Sequence, residues 1–206
     1  MVETSHFSFT YIGELYIFFV KDKLLQKKHY NSGMRKLYIP YAHAKSIYDI
    51  DVSFFKKHNV KYLFLDLDNT LDSYRQKVPT QKAIDLKDKL LKEGIEIIIL
   101  SNNTGKRVSE YATKLGVKYV NSIGKPFASG IKRLLKNHNI NPENVMMVGD
   151  QLITDIAAAN RAKLRSIYVD KLVEEDQPTT RFNRIFEKPI RKRLFKKHLV
   201  REWEEI

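Results

Sequence analysis

Between residues 61 and 170, short apolar runs alternate with longer segments whose apolar residues recur at helical spacing. Residues 61–66 and 95–100 are typical of buried strands, and residues 80–93 show a helical pattern that ends at Gly94. This alternation predicts an α/β fold, with a parallel sheet that helices cover on both faces. The predicted strands are 61–66, 95–100, 117–120, 144–148 and 164–169, and the predicted helices are 80–93, 106–115, 126–138 and 153–161.

The composition limits the classes of protein to which the chain can belong. Its 206 residues suffice for one core of ordinary size, and the lack of cysteine excludes disulfides and thiolate-bound zinc. The net charge of +13 predicts attraction to polyanions such as nucleic acid, anionic lipid or a multiply phosphorylated substrate. The nearest candidate for a membrane span, residues 7–20, is too short and contains Glu14. We therefore expect a cytoplasmic protein, soluble or peripheral to a membrane.

Two aspartates follow the first predicted strand. Asp66 and Asp68 are two residues apart, so extended backbone would direct both side chains to the same side. Paired carboxylates can hold a hard cation such as Mg²⁺, and one can attack phosphorus while the other donates and then accepts a proton. The structural alternative is an ordinary acidic turn after a strand.

Polar residues also follow the second and third predicted strands. Ser101 and Asn102 lie between the second strand and the start of the next helix. A hydroxyl at this position, together with the exposed backbone N–H groups of the helix start, can bind a phosphoryl oxygen. Lys125 can offset the charge of a nucleophile and of a transferring phosphoryl group. Taken alone, Ser101 is equally suited to be a helix N-cap, and Lys125 to be a solvated surface lysine.

The fourth predicted strand ends in a Gly-Asp pair. Asp150 is placed to complete a cation site, and Asp155, five residues on, to support that site or to orient Lys125. A capped helix start is again the structural alternative. Because all four groups directly follow a predicted strand, in order, we favour one catalytic site over four unrelated turns.

Together these groups resemble the four motifs of the haloacid dehalogenase (HAD) superfamily, across about residues 61–170. The resemblance implies a HAD-like Rossmannoid three-layer sandwich with a mainly parallel sheet and Mg²⁺ as cofactor. It also implies that Asp66 forms an aspartyl-phosphate and that Asp68 is the general acid and then base. The implied roles are catalysis for Asp66 and Asp68, substrate or phosphate binding for Thr70, Ser101, Asn102 and Lys125, metal binding for Asp66, Asp68 and Asp150, and an accessory role for Asp155.

A narrower resemblance, over residues 34–194, is to the YqeG-type HAD phosphatases, which include mitochondrial, plant and cyanobacterial phosphatidylglycerophosphate phosphatases. The sequence departs from that family at Ser73 and Tyr74, where relatives carry an apolar or tryptophan-containing stretch. Family members begin near the position of Met34, so residues 1–33 are either an appendage or the product of an upstream start codon. The resemblance is carried by residues 45–51, 68–71, 101–103, 149–155 and 180–184, and the GDQLxTD stretch at 149–155 is the most specific part.

The spacing of the motifs bears on the substrate. Only about thirty residues separate Asp68 from Ser101, and a helix and a strand use them, so we predict no substantial cap domain. An open site suits a large substrate such as a lipid headgroup. Residues 181–197 carry eight basic residues and one acid, Glu187, with apolar residues between them. Such a helix can lie on an anionic bilayer, can pack on the core, or can do both.

We thus predict an N-terminal extension (1–33), a HAD-like core (34–175) and a basic helical tail (176–206). The predicted function is Mg²⁺-dependent hydrolysis of a phosphomonoester, with phosphatidylglycerophosphate as the substrate that we would name. One alternative is a soluble phosphometabolite or phosphoprotein as substrate. Another is a basic RNA-binding protein with a vestigial HAD body, but no aromatic-rich RNA-binding motif supports it, and nucleic acid is not an expected partner.

Overall fold

The computed structural model describes residues 36–103, 105–175 and 178–206, so the predicted extension 1–33 lies outside the described residues. The strands are β1 (Ala42–Ala44), β2 (Tyr62–Leu65), β3 (Glu96–Leu100), β4 (Lys118–Val120), β5 (Val145–Gly149) and β6 (Arg165–Val169). The helices are α1 (Val52–Lys57), α2 (Gln81–Lys92), α3 (Lys106–Leu115), α4 (Ser129–Asn137), α5 (Ala157–Arg161) and α6 (Pro178–Lys196). A π-helical turn, Leu152–Ile156, precedes α5, and 3₁₀ turns lie at Ile47–Asp49, Pro142–Asn144 and Trp203–Glu205.

All six strands belong to one parallel sheet in the order β1-β6-β5-β2-β3-β4. Successive side chains of a strand point to opposite faces. Leu63 and Leu65 pack with α1, α2 and α3 in one buried cluster, whereas Phe64 packs with α4 and α5 in a second. Helices therefore cover both faces of the sheet, and the prediction of a three-layer α/β sandwich is confirmed.

The five predicted strands are confirmed to within one residue at each end. Strands β2, β3, β5 and β6 are mostly apolar and buried along their length because both faces of the sheet are covered there. Strand β4 lies at the edge of the sheet, and its Lys118 and Tyr119 are exposed. The sixth strand, β1, was not predicted. It consists of Ala-His-Ala, pairs with β6 at the edge of the sheet, and is too short to show a period in the sequence.

The helix boundaries follow the predictions at α2 and α3, but not at α4 or α5. Helix α5 was expected from residue 153, yet it starts at Ala157 because residues 152–156 form the π-helical turn. Helix α3 ends at Gly116, whose φ of +76° is the left-handed conformation that favours glycine. Helix α4 was expected to start at Pro126, yet it starts at Ser129. The reason is a turn over residues 124–127, closed by a 2.9 Å hydrogen bond from the Phe127 N–H to the Gly124 carbonyl.

The basic C-terminal stretch forms the long helix α6, and Pro189 lies inside it. Glu187 and Leu194 are buried against the core, whereas Phe182 and Ile185 are exposed. One face of α6 therefore packs on the domain, and the other presents apolar and basic side chains to solvent. Within the described residues, every helix is too short or too polar to span a bilayer.

Candidate active site

The carboxyl ends of three adjacent strands bring the predicted site residues together. Strand β2 lies between β3 and β5 and is parallel to both, so Asp66, Ser101 and Asp150 follow the three strands at the same carboxyl end of the sheet. Lys125 reaches the same place from the turn after β4, where its Nζ donates a 2.9 Å hydrogen bond to the Leu100 carbonyl. Residues far apart in the chain thus share one site at the position where α/β folds bind ligands.

Lys125 joins two of the aspartates. Its Nζ lies 2.5 Å from Asp66 Oδ1 and 2.7 Å from Asp155 Oδ1, and the residue is only 2% exposed. Burial acts to lower the pKa of the Lys125 ammonium, but Asp155 and Asp66 outweigh burial and raise that pKa. The lysine is therefore held charged beside Asp66, where it can offset negative charge on an incoming phosphoryl group.

Three carboxylates form a cluster that can hold a metal ion. One oxygen each from Asp66, Asp150 and Asp155 lies within 4.8 Å of the others, and all three residues are buried. Burial raises the pKa of Asp150, and it raises that of Asp155 to about 6, although Arg184 and Lys125 respectively oppose the shift. Carboxylate oxygens are the ligands that Mg²⁺ prefers, so the donor set fits that cation.

Asp68 lies beside this cluster and pairs with Arg107 of α3. Burial raises the pKa of the Asp68 carboxyl, the charge of Asp66 raises it further, and Arg107 opposes both. A raised pKa suits a group that must donate a proton. Arg107 also donates a 3.0 Å hydrogen bond to the Ser73 carbonyl, and it thereby holds the loop that follows Asp68.

Thr70, Ser101 and Asn102 are also at the site, but their side chains contact protein groups. The Thr70 hydroxyl donates to Asp150 Oδ1 at 3.3 Å, and the Ser101 hydroxyl accepts from the Asn103 N–H at 3.0 Å. The Asn102 amide bonds both the N–H and the carbonyl of Lys125, at 2.8 and 2.7 Å. Their predicted phosphate contacts stay predictions, and the structure adds that Asn102 holds the backbone of Lys125.

Two residues of the loop after Asp66 are held in place by hydrogen bonds. The carboxylate of Asp72 accepts hydrogen bonds from the Tyr111 hydroxyl at 2.5 Å and from the Thr80 N–H at 3.0 Å. Asn69 has a φ of +65° and donates to the Glu175 carbonyl at 3.0 Å. These contacts give the loop one defined path between β2 and α2.

Helix α6 contributes two residues whose roles the sequence did not reveal. Arg184 forms an ion pair with Asp150 Oδ2 and also donates to the Asp150 carbonyl. Glu187 accepts from the N–H groups of Leu152 and Ile153. The one available signal was that Glu187 is the sole acid among eight basic residues, which is an unusual place for an acid unless it has a partner.

No cap covers the site in the described part of the chain. Residues 66–80, between β2 and α2, contain no helix or strand, and five residues, one of them not described, join β3 to α3. The prediction of a capless core is therefore confirmed for the described residues.

Comparison with known proteins gives matches that agree with this site. Residues 122–185 match the family model described as HAD-hydrolase-like. The protein named "Probable phosphatase YqeG" of Bacillus subtilis is 32% identical over 172 residues, which are 84% of this chain and 99% of that protein. The chloroplastic phosphatidylglycerophosphate phosphatase 1 of Chlamydomonas reinhardtii is 26% identical over 155 residues, or 71% of this chain and 58% of that longer protein.

The solved structures that resemble this chain have lower sequence identity to it than these two relatives have. A crystal structure from Listeria monocytogenes serotype 4b has a TM-score of 0.47 and 17% identity, and covers 65% of this chain and 99% of that one. The 3-deoxy-D-manno-octulosonate 8-phosphate phosphatase of Yersinia pestis has a TM-score of 0.42, 17% identity and coverages of 59% and 78%. Similarity at this level says nothing about the substrate. On its identity to the Bacillus protein over nearly the whole of that relative, this chain belongs to the YqeG family of HAD-like phosphatases.

Proposed function

We propose that this phosphatase hydrolyses phosphatidylglycerophosphate to phosphatidylglycerol, through a phosphorylated Asp66, in the cytoplasm at the inner face of the membrane. The observation that carries the chemical part is the buried ion pair of Asp66 with Lys125, beside the carboxylates of Asp150 and Asp155. A carboxylate next to a fixed ammonium and a cation site can approach an anionic phosphoryl group, whose charge would otherwise repel it.

In the first step an oxygen of Asp66 attacks phosphorus and the phosphorus–oxygen bond to the substrate alcohol breaks. Asp68 donates its proton to the departing oxygen, for which its raised pKa prepares it. Lys125 stays charged and offsets the negative charge that develops on the phosphoryl oxygens. The products of this step are the free alcohol and an aspartyl-phosphate on Asp66.

In the second step Asp68, now ionised, takes a proton from water, and the water oxygen attacks phosphorus. The bond between phosphorus and the Asp66 oxygen breaks, which releases inorganic phosphate and restores the carboxylate. Asp66 and Asp150 are the residues whose carboxylates we propose to hold Mg²⁺, and Asp155, which offers an oxygen to the same cluster, is the accessory acid. The part of Asp68 in metal binding stays a prediction from the sequence, because its carboxyl pairs with Arg107 beside the cluster and serves here in proton transfer. Bound there, Mg²⁺ would supply charge stabilisation for the transferring phosphoryl group.

Three observations support a lipid as the substrate. The Chlamydomonas relative is named for phosphatidylglycerophosphate. The uncapped site can admit a headgroup that remains anchored in a bilayer. Exposed Phe182 and Ile185 lie on α6 near Arg184, which contacts the site, and basic residues lie along the same helix. A basic, partly apolar surface beside the site is suited to an anionic membrane.

The test is phosphate release from phosphatidylglycerophosphate in mixed micelles, compared between the native chain and Asp66→Asn, with and without EDTA. We expect turnover that disappears in the variant and in EDTA, because the amide is not a nucleophile and chelation removes the cation. A generic soluble phosphomonoester is assayed in parallel.

The two substrates separate the alternatives. Release from the soluble ester alone, still dependent on Asp66, would retain the two-step chemistry and reject the lipid in favour of a soluble phosphometabolite or phosphoprotein. Absence of Asp66-dependent release from both substrates would reject the proposed reaction.

A further inference from the structure

We propose that Arg184 and Glu187 of α6 are positioning residues of the active site, which act together through Asp150 to set its affinity for the divalent cation. The proposal rests on the proposed role of Asp150 as a metal-binding residue. It assigns a task to a helix that lies outside the four motifs, and to two side chains that contact Asp150 and the backbone that follows it.

Glu187 fixes the backbone that follows Asp150. Its Oε1 accepts hydrogen bonds from two successive N–H groups, those of Leu152 and Ile153, at the start of the π-helical turn. The residue is only 2% exposed, and burial raises its pKa to about 6 in spite of Arg184. A buried carboxylate is costly unless it is hydrogen-bonded, and N–H groups at the start of a helical turn need an acceptor. Glu187 and the two N–H groups meet both needs, and the contact anchors the turn.

Arg184 fixes Asp150 itself, through its side chain and its carbonyl. It donates to Asp150 Oδ2 and to the Asp150 carbonyl, and Glu187 Oε2 lies 3.0 Å from its Nη1. Thr70 donates to the remaining oxygen, Oδ1. Both oxygens of the Asp150 carboxylate are thus held in one orientation, by groups from two different segments of the chain.

The charges around Asp150 explain why an arginine is needed there. Asp150 is fully buried, and Asp66, Asp155 and Glu187 lie near it, all of them acids. A planar guanidinium can meet the Asp150 carboxylate, its carbonyl and Glu187 in one fixed geometry, which the single ammonium of a lysine cannot do. Contacts of this kind orient metal ligands, and their loss weakens metal binding by about 10- to 100-fold.

The test measures cation binding directly, in the full-length chain, by following free Mn²⁺ with electron paramagnetic resonance in place of activity. We expect Arg184→Gln to weaken Mn²⁺ binding by about tenfold or more. Arg184→Lys keeps the charge and should restore only part of the affinity. Glu187→Gln should weaken binding less than Arg184→Gln does, because its amide oxygen can still accept from the two N–H groups.

The matched control is Arg193→Gln, which removes the same type of side chain from an exposed position of the same helix and should leave Mn²⁺ binding unchanged. Native affinity in folded Arg184→Gln, or tighter binding there, would overturn the proposal; tighter binding would show that the guanidinium competes with the cation. If Arg184→Gln does not fold, Arg184→Lys decides, and native affinity in that variant would overturn the geometric argument. Asp66-dependent phosphate release is scored separately, so failure of the reaction is distinguishable from failure of this proposal.

Discussion

At the scale of single residues, Gly149 shows how closely the site is packed. A Cβ atom on Gly149 would lie 2.4 Å from the Cβ of Asp155 and 2.6 Å from its Oδ2. The missing side chain therefore makes room for Asp155 directly above the end of β5. From that position Asp155 reaches Lys125, which in turn pairs with Asp66.

We predict that Gly149→Ala displaces Asp155 and impairs catalysis more than it impairs folding. Overpacking should cost about 1–3 kcal/mol of unfolding free energy. A displacement of about 1 Å near the reacting groups should lower kcat on the order of 10²-fold. Urea unfolding and steady-state hydrolysis of a soluble phosphomonoester measure the two effects.

Gly94→Ala is the control for this variant. Gly94 has a φ of +74°, so alanine there should also cost about 1–2 kcal/mol, but Gly94 follows α2 at the opposite end of the sheet. We expect its kcat to match that of the native chain. If the two variants lose stability alike and both keep native kcat, the position of Asp155 does not matter to the reaction.

At the scale of secondary-structure elements, α6 has one face packed against the active site and one face exposed to solvent. Its inner face places Arg184 and Glu187 against the loop of Asp150, and its outer face exposes Ile185 (63% exposed) and Phe182. The mean composition of the helix, strongly basic with scattered apolar residues, does not distinguish these faces. Their separation is a property of where the helix docks.

For the outer face we predict that Ile185→Glu weakens binding to vesicles that contain anionic lipid by about tenfold. The substitution removes a side chain whose burial contributes about 1.5–3 kcal/mol and adds a charge of the same sign as the surface. Co-sedimentation with vesicles measures binding, and hydrolysis of a soluble ester should not change.

The matched control is Leu91→Glu. Leu91 is 58% exposed on α2, close to the point where β3 begins and thus at the end of the sheet opposite the site. Equal binding losses in both variants would indicate nonspecific adsorption, and no loss in either would reject α6 as the contact surface.

At the scale of the whole molecule, His43 ties the C-terminal segment to the edge of the sheet. This buried imidazole lies 2.9 Å from Glu202 and 3.4 Å from Asp170, and it stacks on Tyr168. Its backbone N–H donates to the Arg201 carbonyl at 2.8 Å. Burial acts to lower the pKa of His43, but its hydrogen bonds with Asp170 and Glu202 outweigh burial and raise that pKa above 6.5.

We predict that the stabilising effect of His43 depends on pH. Because the folded-state pKa is raised, the charged imidazole contributes stability that is fully present below about pH 6.5 and is lost as the pH rises through the folded pKa. The difference in Tm between the native chain and His43→Gln should therefore shrink from about pH 6 to about pH 9. Arg191, which also pairs with Asp170, stays charged throughout this range.

Thermal unfolding at several pH values measures this difference, with His138→Gln as the control because His138 is exposed. A Tm difference for His43→Gln that is constant with pH would show that the imidazole contributes through packing alone.

The amino-acid sequence by itself determined the α/β class, five of the six strands, and the positions of Asp66, Ser101, Lys125 and Asp150 after strands. These features are readable because each depends on local order along the chain: a short apolar run, then a polar group where the run stops. Even so, the start of α4 was placed too early, since the turn that directs Lys125 inward has no periodic signal.

Only the tertiary structure decided which distant groups meet. Arg184 and the Asp150 that it contacts are 34 positions apart, and His43 and Glu202 are 159 apart. One basic residue among eight looks like the others in the sequence, because its burial and its partner arise only when α6 docks on the π-helical turn. The catalytic motifs are thus visible in the chain, whereas the contacts that hold them in place come from packing between segments that the chain keeps far apart.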